Sequence, residues 1–267
     1  MFKYRIAQDF ADISSIAKAH YFQSLKQLML PILVLVIFKD LNYLWDPYIS
    51  HEAAPSFSLS AVLYWLPGIL QMAGMIYAAA TCLCVADGAL LSRVVSLKSA
   101  WVKAAKRVLQ LYIICVLMVA AVYLLSLFFY QLIGLITPYF PDYSQRVSIV
   151  VLVFLALSVI LFLNAYFFAF PLALLKSTGV IESFTRSMVL VRDNGIKTLC
   201  VYAMFSIFCI FFRQETRHAV TLSHYHANFA FDYIFILLIF PYVLNCILAL
   251  FHQLLSLQDE VEQIKDD

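Results

Sequence analysis

Fourteen of the eighteen Lys and Arg residues fall in four short stretches that alternate, around long apolar runs, with stretches holding almost none. The basic stretches are 1–27 (Lys3, Arg5, Lys18, Lys26), 87–107 (Arg93, Lys98, Lys103, Lys106, Arg107), 176–197 (Lys176, Arg186, Arg192, Lys197) and a tail with Lys265. The intervening segments 46–58, 137–146 and 213–230 hold few basic residues. Moving Lys or Arg across a bilayer is costly, so basic loops stay in the cytoplasm. Both termini are therefore expected to be cytoplasmic and the spans even in number, with six fitting best.

Composition agrees, because 64% apolar and 13% charged residues lie far from the roughly 45–50% and about 25% of soluble domains. The net charge of +2 is spread over membrane-flanking loops, which makes it a topology signal and not a nucleic-acid groove. The first twenty residues carry acidic side chains and an amphipathic rhythm unlike a signal peptide, and are expected to be retained. All six cysteines (Cys82, Cys84, Cys115, Cys200, Cys209, Cys246) lie inside apolar runs. No structural disulfide is expected, and the Cys82-x-Cys84 spacing reads as packing, since zinc would need a second ligand pair.

A span needs about 20 apolar residues to cross about 30 Å of hydrocarbon. The expected spans are 22–45, 59–86, 108–136, 147–175, 196–212 and 231–255, in one integral membrane domain over 1–267. Lys39 and Asp40 interrupt the first, and read as an interface anchor in which Lys39 snorkels outward, against an ion-pathway role. Tyr43, Trp45, Trp65 and Tyr139 suit an outer aromatic belt. Amphipathic helices over 6–26, 96–107 and 179–193 precede the first, third and fifth spans. The all-α chain therefore reads as three units of a cytoplasmic interfacial helix plus a two-span hairpin, with span starts 80 and 88 residues apart. The basic faces of these helices point to anionic headgroups of the lipid bilayer as the partner.

The third of these helices carries the most information. Val180, Ile181, Phe184, Met188 and Val191 fall within about 100° of arc, and are expected to bury against the membrane interface or the span ends with Ser183 and Ser187 flanking them. Pro171 can bend the fourth span near its exit, and Gly179 permits the turn that follows. Glu182 suits the helix N-terminus, and Asn194-Gly195 is a stop signal. Arg186 has a headgroup phosphate or a protein carboxylate to choose from, with Glu182 four residues earlier the nearest carboxylate and Asp87 at the inner end of the second span the more consequential one. With Asp193, the charged face reads as a solvated salt-bridge face before a substrate site.

At these residues a resemblance appears. Pro171, Gly179, the S-x-x-R-S core of Ser183, Arg186 and Ser187, then Leu190 and Asn194, resemble the signature of the YciC-like family of bacterial inner-membrane proteins. They are more distantly similar to the membrane domain attached to some glycerophosphodiester phosphodiesterases. The segment LLSRVVSLKSAWVKAAKRVLQLY resembles the family's basic helix before its third span, whereas TPYFPDYSQR at 137–146 departs from its compact Pro-Gly turn. The resemblance implies an integral inner-membrane protein serving envelope or lipid homeostasis.

No nucleophile elbow, H-E-x-x-H or Walker loop is present in the sequence, and no enzymatic activity and no cofactor are expected. His218, His224 and His226 could in principle hold a borderline metal, but three imidazoles on a flexible loop lack the outer support that orients ligands, so no metal is expected. Gln131, Asn164 and Asn245, with Gln71 and Asp232, are the intramembrane polar residues. They read as helix-to-helix hydrogen-bonding glue, with a polar cavity lined by Gln131, Asn164 and Asn245 as the alternative. Gly74, Ala78, Cys82 and Ala86 make a small-residue stripe for close helix contact. A non-enzymatic accessory or scaffold is the leading function, and a small-molecule transporter or lipid-handling permease the runner-up.

Overall fold

The computed structural model describes residues 2–45, 59–93, 95–140, 144–192, 194–214 and 222–266. The described residues are helical throughout, with no strand among them. In order they form α1 (Phe2–Ala19), α2 (Tyr21–Trp45), α3 (Leu59–Leu90), α4 (Leu97–Ile136) with a short 3₁₀ turn (Thr137–Tyr139), α5 (Ser144–Ala165), α6 (Ala169–Leu175), α7 (Val180–Arg192), α8 (Gly195–Gln214) and α9 (Leu222–Asp266). Five helical segments are long and apolar enough to cross a membrane: Tyr21–Lys39, Gly68–Leu90, Leu97–Tyr139, Gln145–Leu175 and Ile236–Gln258. This is the build of a multi-pass membrane protein. Where a further span is expected at 196–212, the described residues give a shorter apolar segment, Gly195–Cys209, within the 20-residue α8.

The helices gather into two compact units, one of Met1–Leu109 with Cys200–Asp267 and one of Gln110–Leu199. In the first, α9 packs against α1, α2 and α3, and α2 pairs with α3. The run Val243, Leu244, Cys246, Ile247, Leu248, Ala249, Leu250, Phe251 is buried on every side of α9, as expected of a helix that is apolar all round. On α2 the buried residues Leu28, Ile32, Leu35 and Val36 repeat at helical spacing. The small-residue stripe of α3 is buried, and a Cβ on Gly74 would fall 2.2 Å from the Phe38 ring of α2, so glycine sets how closely these two helices approach. Within the second unit, α7 packs on α5 and α6. Large apolar residues of the span segments stay open to the surroundings, among them Phe128, Tyr130, Phe154 and Leu161. Apolar surface on this scale suits lipid tails better than water.

The first two interfacial helices differ from expectation, each for a local reason. The first, expected over 6–26, divides at His20 into α1 and the start of α2. Its apolar residues Ile13 and Ala17 are buried in the protein as α1 packs along α9. The second, expected at 96–107, runs without a break into the following span as the 40-residue α4, because no Gly or Pro occurs between Leu97 and Ile133 to stop it. The third, α7, buries Ser183, Ser187, Leu190 and Val191 in the protein, while Ile181 is 82% and Met188 47% exposed. At 100° per residue, this protein-facing arc lies about a quarter turn from the apolar arc expected at the membrane interface or the span ends.

Two ends of helices use non-glycine residues in the left-handed region. After α3, Arg93 N–H donates to the Gly88 carbonyl at 2.8 Å and Ser92 N–H to the Ala89 carbonyl at 3.2 Å, with Ser92 at φ 51°. This is the paired bonding of a Schellman end. After α6, Ser177 takes φ 58°. Gly179 therefore does not make the turn expected of it: no glycine has positive φ, and a Cβ at Gly179 would meet open space.

Candidate functional site

The signature stretch folds around a break in the fourth apolar segment. Pro171 lacks an N–H and its ring collides with the carbonyl four residues earlier, which favours a break here, although α2 and α9 run on through Pro31 and Pro241. The chain leaves helix after Ala165 and restarts at Ala169, placing Pro171 in the first turn of α6 where it is tolerated. A break at this depth needs its backbone groups satisfied. Ser187 of α7 supplies a partner on both sides: its Oγ donates to the Ala165 carbonyl at 3.0 Å and accepts the Phe168 N–H at 3.1 Å. Ser187 and Ser183 are fully buried. Ser183 Oγ donates to the Gly179 carbonyl at 2.7 Å and lies 2.7 Å from the Thr178 hydroxyl, while the Gln110 amide donates to the Thr178 carbonyl.

Glu182 Oε2 accepts the Gly179 N–H at 3.4 Å, half of a capping box at the start of α7. Its other oxygen pairs with Arg186 at 3.0 Å, with both side chains about half exposed. Such a surface i,i+4 pair contributes about 0.3–0.5 kcal/mol. Asn194 stands between α7 and α8, and its carbonyl accepts the Thr198 N–H at 3.1 Å. It opens α8 as much as it ends α7. Asn164 is buried, donating from Nδ2 to the Gly195 carbonyl at 3.4 Å, while its Oδ1 has no hydrogen-bond partner among the described residues. Tyr166 extends an aromatic ladder, edge-on to Phe162 at 4.8 Å and to Phe184 of α7 at 5.2 Å.

In the other unit the polar residues tie helices together. Asn245 of α9 is fully buried. Its Nδ2 donates to Ser24 Oγ at 3.0 Å and, at 3.5 Å, to the Ala17 carbonyl at the end of α1. Ser24 Oγ in turn lies 2.9 Å from the His20 carbonyl. Ser14 of α1 meets the Tyr242 hydroxyl at 2.9 Å, and Tyr21 donates to the Leu238 carbonyl at 2.7 Å. Gln71 donates to the Lys39 carbonyl at 2.9 Å, joining α3 to α2. Lys39 itself is buried and does not snorkel to the surface as expected.

Asp87 and His252 pair at 2.7 Å, their side chains 19% and 28% exposed. Asp87 sits in the last turn of α3, where the negative end of the helix dipole disfavours a carboxylate, and the His252 imidazole offsets that. So Arg186 pairs with Glu182 within its own helix, and Asp87 pairs with His252 of α9. Glu182 is the nearer of the two carboxylates expected for Arg186.

In the second unit Gln131 is exposed and Asn164 buried, and in the first Asn245 is buried against its own partners. Sequence reasoning missed Ser24, Thr178, Gln110 and the tie made by His252. The signal available for Ser24 was weak, a hydroxyl beside the Pro-containing apolar run of α2. The His218, His224 and His226 side chains, Asp193, Asp232, Tyr43, Trp45 and Trp65 lie outside the residues whose side chains are described. Among the described residues no three His, Cys, Asp or Glu side chains come together as metal ligands. No family model, no curated protein and no solved structure matches this chain.

The Asp87–His252 pair leads to a prediction. Asp87→Ala should cost about 1–2 kcal/mol, because a partly buried imidazole loses its partner, and adding His252→Ala should then cost much less than it does alone, as coupled residues do. Asp87→Ala with Arg186→Ala should add within about 0.5 kcal/mol. Thermal unfolding of the three single and two double variants in detergent measures both. Additive losses for Asp87 and His252 would remove the tie.

Proposed function

We propose that this chain is a six-span bacterial inner-membrane protein of the YciC-like type, with both termini cytoplasmic, acting without enzymatic chemistry as an accessory or scaffold in envelope or lipid homeostasis. The observation that supports a scaffold is how the intramembrane polar side chains are used: Asn245, Ser24, Gln71 and Ser187 are buried and bonded from one helix to another. Hydrogen bonds of this kind hold helices in register at modest energy, about 0.6–2 kcal/mol each. The sixth span would be α8, whose 20 residues extend about 30 Å. In support of family membership, the resemblance includes Ser187, which serves the Pro171 break, and Ser183, which bonds at the start of α7.

A transporter or lipid-handling permease is the rival reading. It draws on the helix break at 166–168 beside Asn164, whose buried Oδ1 has no hydrogen-bond partner among the described residues, since broken helices with polar side chains recur at transport sites. Complementation separates the two. In a deletion strain with an envelope defect, such as detergent sensitivity, the Gln131→Leu/Asn164→Leu variant should restore wild-type resistance if the bundle is a scaffold. A folded, membrane-inserted variant that fails to complement would transfer the function to transport. Topology is tested by reporter fusions after Ser50, Asp142 and Ser223, all expected to be exported under the positive-inside rule. Cytoplasmic reporter activity at two of the three would sink the six-span arrangement.

A further inference from the structure

The start of α4 carries a feature that neither the helix staples nor the signature stretch uses. Ser96 caps the helix, its Oγ accepting the Ser99 N–H at 3.2 Å, and Ser99 Oγ donates back to the Ser96 carbonyl at 2.7 Å. From this cap an open groove of about 480 Å³ runs along the helix, lined by Ser96, Lys98, Ser99, Val102, Lys103 and Lys106. Lys98, Val102 and Lys106 follow one another at four-residue steps, and Lys103 lies on the adjoining row, so three ammonium groups surround one apolar side chain. The opposite face of the helix holds Ala100 and Ala104, both fully buried, which fixes the lysine face outward. Among the described residues no carboxylate pairs with Lys98, Lys103 or Lys106.

Seven residues beyond Val102 on the same face is Leu109, 71% exposed against 47% for Val102. Positive charge at the head of the groove and open apolar surface below it match the two halves of an amphiphile. The positive end of the helix dipole adds to the field at the head. A water-soluble anion would use the lysines and leave the Val102–Leu109 strip idle.

We propose that this groove is a binding site for an anionic glycerophospholipid, with the lysines and the Ser99 hydroxyl around the headgroup phosphate and an acyl chain along Val102 and Leu109. The inference rests on reading Leu97–Tyr139 as a span. The reporter fusions test that reading separately, so a correct topology with no lysine effect would sink this site alone.

The test uses the full-length protein in dodecyl maltoside, following thermal unfolding as dioleoylphosphatidylglycerol, dioleoylphosphatidylcholine or sn-glycerol 3-phosphate is added. Phosphatidylglycerol should raise the melting temperature with saturation, while phosphatidylcholine and glycerol phosphate at equal concentration should give little. A basic residue near an anionic lipid surface strengthens binding about fivefold, so Lys98→Gln/Lys103→Gln/Lys106→Gln should raise the half-saturating concentration roughly a hundredfold. If the triple variant does not accumulate, the single substitutions should each raise it about fivefold, and the triple Arg variant should bind as the wild type does. Equal shifts with phosphatidylcholine, or wild-type phosphatidylglycerol binding by the Gln variants, would overturn the site. Saturation by glycerol phosphate at matching concentration would assign the lysines to a soluble phosphate ligand and overturn the lipid.

Discussion

Ser187→Ala should lower the stability of the detergent-solubilised protein by about 2–3 kcal/mol, more than an ordinary serine in a helix would cost. The reason is where the hydroxyl sits. The break between α5 and α6 takes the Ala165 carbonyl and the Phe168 N–H out of regular helix, and Ser187 Oγ bonds to both at 3.0 and 3.1 Å. Alanine fits the space but removes both bonds at once, in a fully buried place with no route for bulk water. Thr185 is the internal comparison, since its hydroxyl bonds only within its own turn, to the Ile181 carbonyl, and is exposed; Thr185→Ala should change stability by less than about 0.5 kcal/mol. Equal effects of the two substitutions in urea or thermal unfolding would mean that Ser187 does not hold the break.

Asn245→Ala should cost about as much, roughly 2–3 kcal/mol, from lost amide bonds and a cavity in a fully buried position. Here the loss should be local in its consequences. Asn245 ties Ser24 at the start of α2 and the Ala17 carbonyl at the end of α1 to α9. The variant should therefore loosen α1, which limited proteolysis within Phe2–Ala19 would detect before global unfolding. Ser24→Ala added to Asn245→Ala should cost little more, because the two share one bond. Unchanged protection of α1 in the Asn245 variant would leave Ser14–Tyr242 and Tyr21–Leu238 as the contacts that hold it.

Some of this was legible in advance from individual residues. The stripe Gly74, Ala78, Cys82, Ala86 reads at four-residue spacing as a close-contact face, and its burial against neighbouring helices follows from that pattern alone. Pro171 marks a point where a missing N–H and a ring clash weaken a helix, but Pro31 and Pro241 lie inside unbroken helices, so a break is decided by the surroundings. The face of α7 was not legible. Its apolar arc and its buried arc differ by about a quarter turn, because periodicity ranks residues by hydrophobicity, whereas at this helix the neighbour is a broken backbone that needs hydroxyls and small side chains. Serine loses to isoleucine on any hydropathy scale, so the pattern set Ile181 in the arc meant for the membrane interface or the span ends and left Ser187 at its flank. Where lipid can cover an exposed Ile181, no penalty corrects the pattern.

Charge partners were undecided for a related reason. Arg186 had one carboxylate a turn away in the chain and another a hundred residues distant, and helical spacing by itself favours only the near one. Whether Asp87 was free depended on His252, 165 residues further along. Local quantities, namely which segments are apolar enough to enter a bilayer and where basic residues hold loops, are written in the sequence because each depends on a few neighbouring residues. The partner of Asp87, the hydroxyl that serves the Pro171 break, and the burial of α1 against α9 depend on segments far apart in the chain, and only packing chose among them.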